Sequence, residues 1–347
     1  MRHKPVLLKE ILEGLNLKKD LGKDSDGVPV YIDCNLGDGG HSQAVIEALN
    51  GEVAVIGFDL DQDAIDRART NIADAVQAKK IPFSLTENLH LFRKNFRTLK
   101  KTLGDAGMPA ENYADAVLFD LGISSYELDQ SGRGFSFQKD EPLSMTFGKK
   151  LGDGEENIHG DNAFDAYDIV NSWKEEDIAN VIFAYGEDRY ARRIAKRIVE
   201  AREAGREKGQ TPDGEIGIKT TKQLADIVKS AYPSMARFGK IHPATRTFQA
   251  LRIAVNDELR AIEETLPQAL DVLKGSNSKQ GEKQKGGRLA VISFHSLEDR
   301  IIKNFFKNKA AAGVVKIITK KPIVPSDEEA KTNPRSRSSK LRILEKI

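Results

Sequence analysis

An α/β fold, a mostly parallel sheet with helices on both faces and a mostly helical insert, is predicted by three observations. The first third of the chain alternates short apolar runs with segments of helical apolar spacing. Three of those runs close on an aspartate, Asp33, Asp59 and Asp120, and from Phe164 to Tyr232 the spacing is helical with no convincing strand. Such alternation indicates parallel βα units, whose ligands lie beyond the carboxyl ends of the strands.

Each element follows from its pattern. Residues 28–34 form the first apolar run, then a Gly-rich turn leads into a helix over 42–49 carrying Val45, Ile46 and Leu49. Residues 53–58 form the second strand, and Asp63 is placed to cap the helix that carries Ile65, Ala68 and Ile72. A weaker third strand is predicted over 81–86 and a fourth over 116–119. After Asp120 the rhythm breaks, and residues 132–156 are rich in Gly, Asp and Lys. One long helix over 245–273, with Phe248, Leu251, Val255, Leu259, Ile262 and Leu266 at three- and four-residue steps, is predicted to pack back on the sheet. A polar loop over 275–287, a fifth strand over 289–294 and a closing pair over 314–318 and 341–344 complete the reading. The organisation is a sheet domain begun by 1–128, a substrate-recognition insert over 129–238, and the rest of the sheet domain with a basic tail over 239–347.

At roughly 150 residues per domain, 347 residues suggest about two domains. Lys plus Arg (54) against Asp plus Glu (52) leaves +2, so a polyanionic partner must meet a local basic patch rather than an overall field. The single cysteine, Cys34, excludes an intramolecular disulfide framework and fits a reducing, cytoplasmic setting. Residues 1–17 interrupt their apolar groups with Lys9, Glu10 and Glu13, and no stretch reaches about 18 apolar residues, so secretion and membrane association are disfavoured. No internal repeat points to a solenoid.

The turn from Asp33 to His41 sits between strand and helix, where glycine lets backbone approach a ligand and the helix start offers free amides. A dinucleotide fingerprint would place glycines at 37, 39 and 42, but position 42 is Ser, which counts against a nicotinamide-dependent (NAD) oxidoreductase on the same sheet. S-Adenosyl-L-methionine has no phosphate; it presents a sulfonium, an ammonium and a ribose diol. Asp59, 22 residues after Gly37, stands where a carboxylate accepts both ribose hydroxyls, and Asp33 or Asp38 can meet the ammonium. The competing reading is that the glycines only form a turn and the acids only cap helices.

Longer strings sharpen this. His3-Lys4-Pro5-Val6-Leu7-Leu8, Gly39-Gly40-His41-Ser42, Asp120-Leu121-Gly122-Ile123-Ser124-Ser125, Arg133-Gly134-Phe135-Ser136-Phe137, Tyr185-Gly186-Glu187, the run from His242 to Ala250, the run from Ser293 to Arg300, and Asn333-Pro334-Arg335-Ser336-Arg337 span nearly the whole chain. In this order they resemble the bacterial ribosomal RNA small subunit methyltransferase H family. The resemblance implies a class I, Rossmann-like methyltransferase sheet with a helical insert, S-adenosyl-L-methionine as donor, and N4 of a decoding-site cytidine in 16S ribosomal RNA as acceptor. It also implies donor contacts at Gly39, Gly40, His41, Asp59, Phe96, Asp120 and Glu127. Position 127 is Glu where the family writes Gln, and the stretch from Asp140 to Phe147 replaces one that the family ends with Asp, Met, Arg, Met. That second departure keeps a further alternative open, an rRNA-binding assembly factor without transfer activity.

The cytosine amino group is a poor nucleophile until it is held in line, so positioning carries much of the catalysis. Asp120 is the candidate catalytic acceptor for its proton, or it only holds the donor. His295 follows the fifth strand, but Ser296 with Asp299 three residues on is a capping pattern for a helix over 297–306, which points to structural duty. The chemistry requires no metal, and the scattered histidines form no ligand-spaced cluster. Arg189, Arg192, Arg193, Lys196 and Arg197 recur at helical spacing as one RNA-binding face, and Lys331, Arg335, Arg337, Lys340 and Arg342 form a basic tail free of acids. Phe135 and Phe137 are candidates for stacking on an extruded base or, alternatively, ordinary core residues. The partner is small-subunit rRNA or the assembled 30S particle; the sequence leaves the oligomeric state open, a dimer included.

Overall fold

The apolar runs of the first third become strands of one sheet. The computed structural model describes residues 4–17, 28–147, 164–207, 217–239, 241–276 and 285–347. Its first compact unit comprises Met1–Gly122 with Leu259–Ile347, and its second Ile123–Glu258. The first begins with α1 (Leu8–Leu15), β1 (Val30–Asp33), α2 (Gly40–Ala48), β2 (Ala54–Asp59), α3 (Gln62–Lys79), β3 (Leu89–Arg93), α4 (Leu99–Asp105) and β4 (Ala116–Asp120). The second contains α5 (Ser125–Asp129), α6 (Ala166–Ser172), α7 (Glu175–Gly186), α8 (Ala191–Glu207), α9 (Thr221–Ala231) and α10 (Ala244–Asn256). The chain then completes the first unit with α11 (Glu258–Val272), β5 (Arg288–Ser293), α12 (Ser296–Ala311), β6 (Val315–Ile317), α13 (Asp327–Thr332) and β7 (Lys340–Lys346).

The strand order is β3-β2-β1-β4-β5-β7-β6, and only β7 runs against its neighbours. This is the class I, Rossmann-like methyltransferase sheet. Alternate residues of each strand point to opposite faces. Val30 and Ile32 pack with Leu103, Ile262, Leu266 and Ile302 on one face, while Tyr31 packs with Ile11, Val45, Ile46 and Ile72 on the other. Both faces are therefore covered, as a parallel sheet requires. The helical unit has its own core, built on Ile169, Ile182, Ile194, Ile198, Leu224 and Leu251.

The structure moves several predicted elements. The third strand is Leu89–Arg93, not 81–86. Lys80 ends α3 in the left-handed region and Pro82 has no N–H for a ladder, so Ile81 and Phe83 fill the core from a loop. The cap of α3 is Asp61, whose carboxylate accepts from the Asp63 N–H at 3.0 Å, not Asp63. The long helix over 245–273 is two helices parted at Asp257 (φ 49°): α10 belongs to the helical unit, and only α11 packs on the sheet. The compact units part after Gly122 and after Glu258, where the sequence reading placed boundaries at 128 and 238. Residues 148–163 of the Gly-, Asp- and Lys-rich stretch and 277–284 of the polar loop lie outside the described residues. Among the described residues, no helix is long and apolar enough to cross a membrane.

Candidate active site

The sheet register brings three carboxylates to the carboxyl ends of adjacent strands. β1 lies between β2 and β4; Asp33 is opposite Gly57 on one side and Leu118 on the other, and Asp59 and Asp120 close the flanking strands. Asp33 is almost fully buried, accepting hydrogen bonds at Oδ2 from the Ser42 hydroxyl (2.8 Å) and the Tyr31 hydroxyl (3.2 Å). Burial pushes its carboxyl up, and the charge of Asp120 pushes the same way, against the opposing effects of His41 and Ser42. Asp59 accepts the Gly37 N–H at Oδ2 and the Asp61 N–H at Oδ1, both at 2.9 Å. Burial still raises it to about 6, because two backbone donors do not replace full hydration.

The loop that joins these acids shows which glycine faces a ligand. A Cβ at Gly37 (φ 52°) would meet nothing within 4 Å, so its outer side is open. A Cβ at Gly39 would press on Ala68 at 3.1 Å, and one at Gly40 on Pro5 at 2.6 Å. Those two glycines let α3 and the N-terminal segment close on the loop. Gly39 caps α2 without a side-chain acceptor, so the helix start presents amide donors. Asn35 Oδ1 is buried in the same loop with no hydrogen-bond donor. Asp38 is tied to Arg67 at 2.8 Å, and Asp33 Oδ1 accepts the Asn35 N–H at 3.3 Å.

His41 lies beside Asp120. A carbonyl can only accept, so His41 donates through Nε2 to Val6 O (3.0 Å), and Nδ1 then faces Asp120 Oδ2 at 3.6 Å. Phe96 follows β3 in a 3-10 turn capped by Asn95 and meets Phe119 edge to face with centroids 5.6 Å apart. These residues share the sheet unit with Asp33, Asp59 and Asp120. Glu127 belongs to the other unit, where it forms a reciprocal capping box: its N–H donates to Ser124 Oγ (3.1 Å), and its carboxylate accepts the Ser124 N–H (3.0 Å). Gln serves that box equally well.

The cationic candidates divide. Arg192, Arg193, Lys196 and Arg197 lie exposed on α8 over buried Ile194 and Ile198, while Arg189 precedes the helix and lies over the Tyr190 ring at 4.8 Å. In the tail, Arg337 donates to Ala330 O (3.0 Å), and Arg335 is half-buried. Arg342 is a structural residue, buried against Asp299 at 2.7 Å, so it is not a free phosphate contact. Phe135 is core, stacked on Phe147 (5.2 Å), and Phe137 is held between His242 and Phe248. Histidine, not Ser296, caps α12: His295 Nδ1 accepts the Glu298 N–H (3.4 Å) and Glu298 accepts the His295 N–H (3.3 Å).

Sequence reading missed the residues that hold the acids. Tyr31 lies two positions before Asp33 on one strand, hence on the same side, and that spacing was the available signal. Ser42 counted only as a missing glycine; it is a buried anchor for Asp33.

The crevice fits S-adenosyl-L-methionine: acids complement its cationic groups, Asp59 can take its diol, Gly37 leaves space, and Asn35 Oδ1 supplies a buried acceptor. The profile of the MraW methylase family matches residues 1–347. Ribosomal RNA small subunit methyltransferase H of Paenibacillus sp. (strain JDR-2) is 38% identical over 364 residues, covering 100% of this chain and 99% of that protein. The protein of that name from Clostridioides difficile (strain 630) is 39% identical over 360 residues, 99% of each chain. That from Brevibacillus brevis (strain 47 / JCM 6285 / NBRC 100599) is 38% identical over 363 residues, 99% of this chain and 98% of the other. Together with the sheet order and the acid-lined crevice, these matches place the chain in the MraW methylase family, whose methyl donor is S-adenosyl-L-methionine.

Proposed function

We propose that this protein transfers the methyl group of S-adenosyl-L-methionine to N4 of a decoding-site cytidine in small-subunit (16S) ribosomal RNA, presented as RNA or in the 30S particle. The observation that carries the reading is the convergence of Asp33, Asp59 and Asp120 at the ends of adjacent strands beside the open side of Gly37. Relatives named for small-subunit rRNA methylation along the whole chain support the substrate class.

Bound in the crevice, the donor supplies an electrophilic methyl carbon. Asp59 binds through its ribose hydroxyls, Asp33 and Asn35 Oδ1 meet its ammonium, and the α2 amides, Gly39, Gly40 and His41 line its amino acid end. Phe96 flanks the adenine side. Asp120 would accept a hydrogen bond from the cytosine amino group, holding it in place, and would take the proton it loses on gaining the methyl group that the donor would supply. His41 Nδ1, facing Asp120 Oδ2, shares that proton before it leaves to solvent. The resemblance adds Glu127 as a donor contact, the basic face of α8 holds phosphates, and Arg335 and Arg337 do the same in the tail.

Ser42 is buried and bonded to Asp33, so the third glycine of a dinucleotide fingerprint has no counterpart, and the oxidoreductase reading has no support. The Ser144–Phe147 stretch is held through its main chain. Met145 N–H donates to Arg133 O (2.7 Å), and Asn256 clasps both Met145 O (2.8 Å) and the Phe147 N–H (2.9 Å). The test is incubation of 30S particles and of naked 16S rRNA with methyl-labelled donor, followed by nucleoside mass spectrometry. N4-methylcytidine is the expected product. Label in another nucleoside would overturn the N4 assignment, and donor binding without label in RNA would favour an assembly factor.

A further inference from the structure

The turn between α9 and α10 presents the densest group of exposed apolar side chains among the described residues. Met235 is 96% exposed, Phe238 82% and Ile241 61%, all within seven residues of one another. Isolated exposed apolar residues are ordinary, but a cluster of large ones marks a contact surface. Its chemical setting selects the partner. Between Asp226 and Asp257 the sequence has no acidic residue and five cations, Lys229, Arg237, Lys240, Arg246 and Arg252. Of these, Arg252 is committed to Glu258 at 2.7 Å. Burial and the charge of Lys229 hold His242 below its ordinary range, so it adds no charge of its own.

The turn is also fixed in shape. Arg237 donates through Nε to Tyr232 O and through Nη2 to Ser230 O, both at 2.9 Å, closing the carboxyl end of α9. Its N–H donates to Ser234 O, forming a 3-10 turn that aims Met235 outward. Lys229 Nζ lies 5.7 Å from the Phe238 ring centroid, leaving most of the ring in water. Tyr232 then links the turn to the basic helix: its ring meets Tyr190 at 4.7 Å, and Tyr190 carries the Arg189 guanidinium at 4.8 Å. Asp188 is buried and satisfied by the Tyr232 hydroxyl and the Tyr190 N–H, while Asp226, three residues before Lys229 on α9, is exposed. An apolar, aromatic tip joined to a line of arginines, in a segment free of acids between Asp226 and Asp257, matches single-stranded nucleic acid, which offers base faces and phosphates together.

We infer that Phe238 and Met235 form a base-stacking platform for an unpaired stretch of the substrate RNA, with Arg189 and the cations on the outer face of α8 tracking its phosphates. The inference rests on the RNA methyltransferase reading and deepens it by naming a second contact on the RNA, carried by the helical unit itself.

The test measures full-length protein on naked 16S rRNA and on 30S particles. Both Phe238 and Met235 are solvent-exposed, so Phe238→Ala and Met235→Ala are expected to fold and to keep the wild-type donor affinity. For Phe238→Ala the RNA Kd and KM should rise about tenfold, the scale of one lost base–aromatic stack, with kcat and the salt slope of binding unchanged. Phe238→Trp should restore affinity. Wild-type RNA affinity in Phe238→Ala on both substrates overturns the platform while leaving methyl transfer intact. Loss confined to 30S particles overturns it in favour of a ribosomal protein as partner. If the wild-type protein labels no RNA but Phe238→Ala still weakens RNA binding, the transferase reading falls and the platform stands.

Discussion

The two units handle charge in opposite ways. In the sheet unit, Asp33 and Asp59 are held by hydroxyls and backbone N–H groups, burial raises both carboxyls, and their positions follow from strand register. In the helical unit, Arg192, Arg193, Lys196 and Arg197 are exposed over a buried aliphatic stripe, with Arg197 bonded to Glu200 at 3.1 Å. Fixed buried charge gives geometry and selectivity for a small cationic donor; exposed charge gives salt-dependent attraction to a polyanion of any sequence. The first is costly to disturb one atom at a time, and the second is spread over many residues.

The contrast sharpens most where a cation of the basic tail turns out to be buried. Arg342 sits in β7 against Asp299; burial pushes that carboxyl up, but the guanidinium bonds more than offset this and hold it below its ordinary range. Arg342→Met leaves the partly buried Asp299 carboxylate with the looser Lys340 pair at 3.7 Å and is expected to cost about 3 kcal/mol of stability, read as a fall in Tm. Arg337→Met, exposed, should leave Tm nearly unchanged and weaken RNA binding instead. Equal Tm losses in both would erase the distinction between structural and phosphate-facing arginines.

Asp59 tests the crevice in two ways. Asp59→Ala should weaken donor binding by about 1 to 3 kcal/mol in calorimetry, through unpaired ribose hydroxyls. With its carboxyl raised to about 6, wild-type donor affinity should hold above that pH and fall by about tenfold per unit below it, as the acceptor becomes protonated. The stability sign is opposite. A carboxyl raised in the folded state favours folding at low pH, and that contribution disappears as pH rises through about 6. Asp59→Asn should weaken donor binding without stabilising the donor-free protein, because the amide has one oxygen where both carboxylate oxygens accept a backbone N–H. An affinity flat across that range would remove Asp59 from the site. On the other unit, reversing Arg192 and Arg193 to Glu should weaken RNA binding about tenfold at moderate salt and flatten its salt slope, with donor affinity untouched.

This difference also governs what the sequence reveals. Asp33, Asp59 and Asp120 are legible because each ends an apolar run, and strand period fixes where such an end must lie. Local patterns mislead where tertiary packing takes over. Ile81 and Phe83 resemble a strand because they are apolar, but they fill the core beside Pro82 as a loop. The break at Asp257 is hidden because Phe248 to Leu266 keep helical steps across it, although their two halves serve different cores. The open side of Gly37 and the packed sides of Gly39 and Gly40 depend on where Pro5 and α3 come to rest, which no local window contains. The exposure of Phe238 depends on the hydrogen-bonded turn that Arg237 closes, which apolar spacing does not show.

The smallest expected effect concerns the residue that departs from the family pattern in charge. Glu127 uses its carboxylate to accept the Ser124 N–H, and a Gln amide oxygen accepts the same bond. Glu127→Gln removes one negative charge at the first turn of α5, where the helix end favours it by a few tenths of a kcal/mol. Stability should therefore fall by less than about 0.5 kcal/mol, and donor affinity should shift by no more than about twofold. Glu127→Ala loses the acceptor and should cost about 1 kcal/mol. A large effect of Gln on donor binding, with unchanged Tm, would show that the charge acts on the donor directly, and the capping box would then be incidental to why an acid stands there.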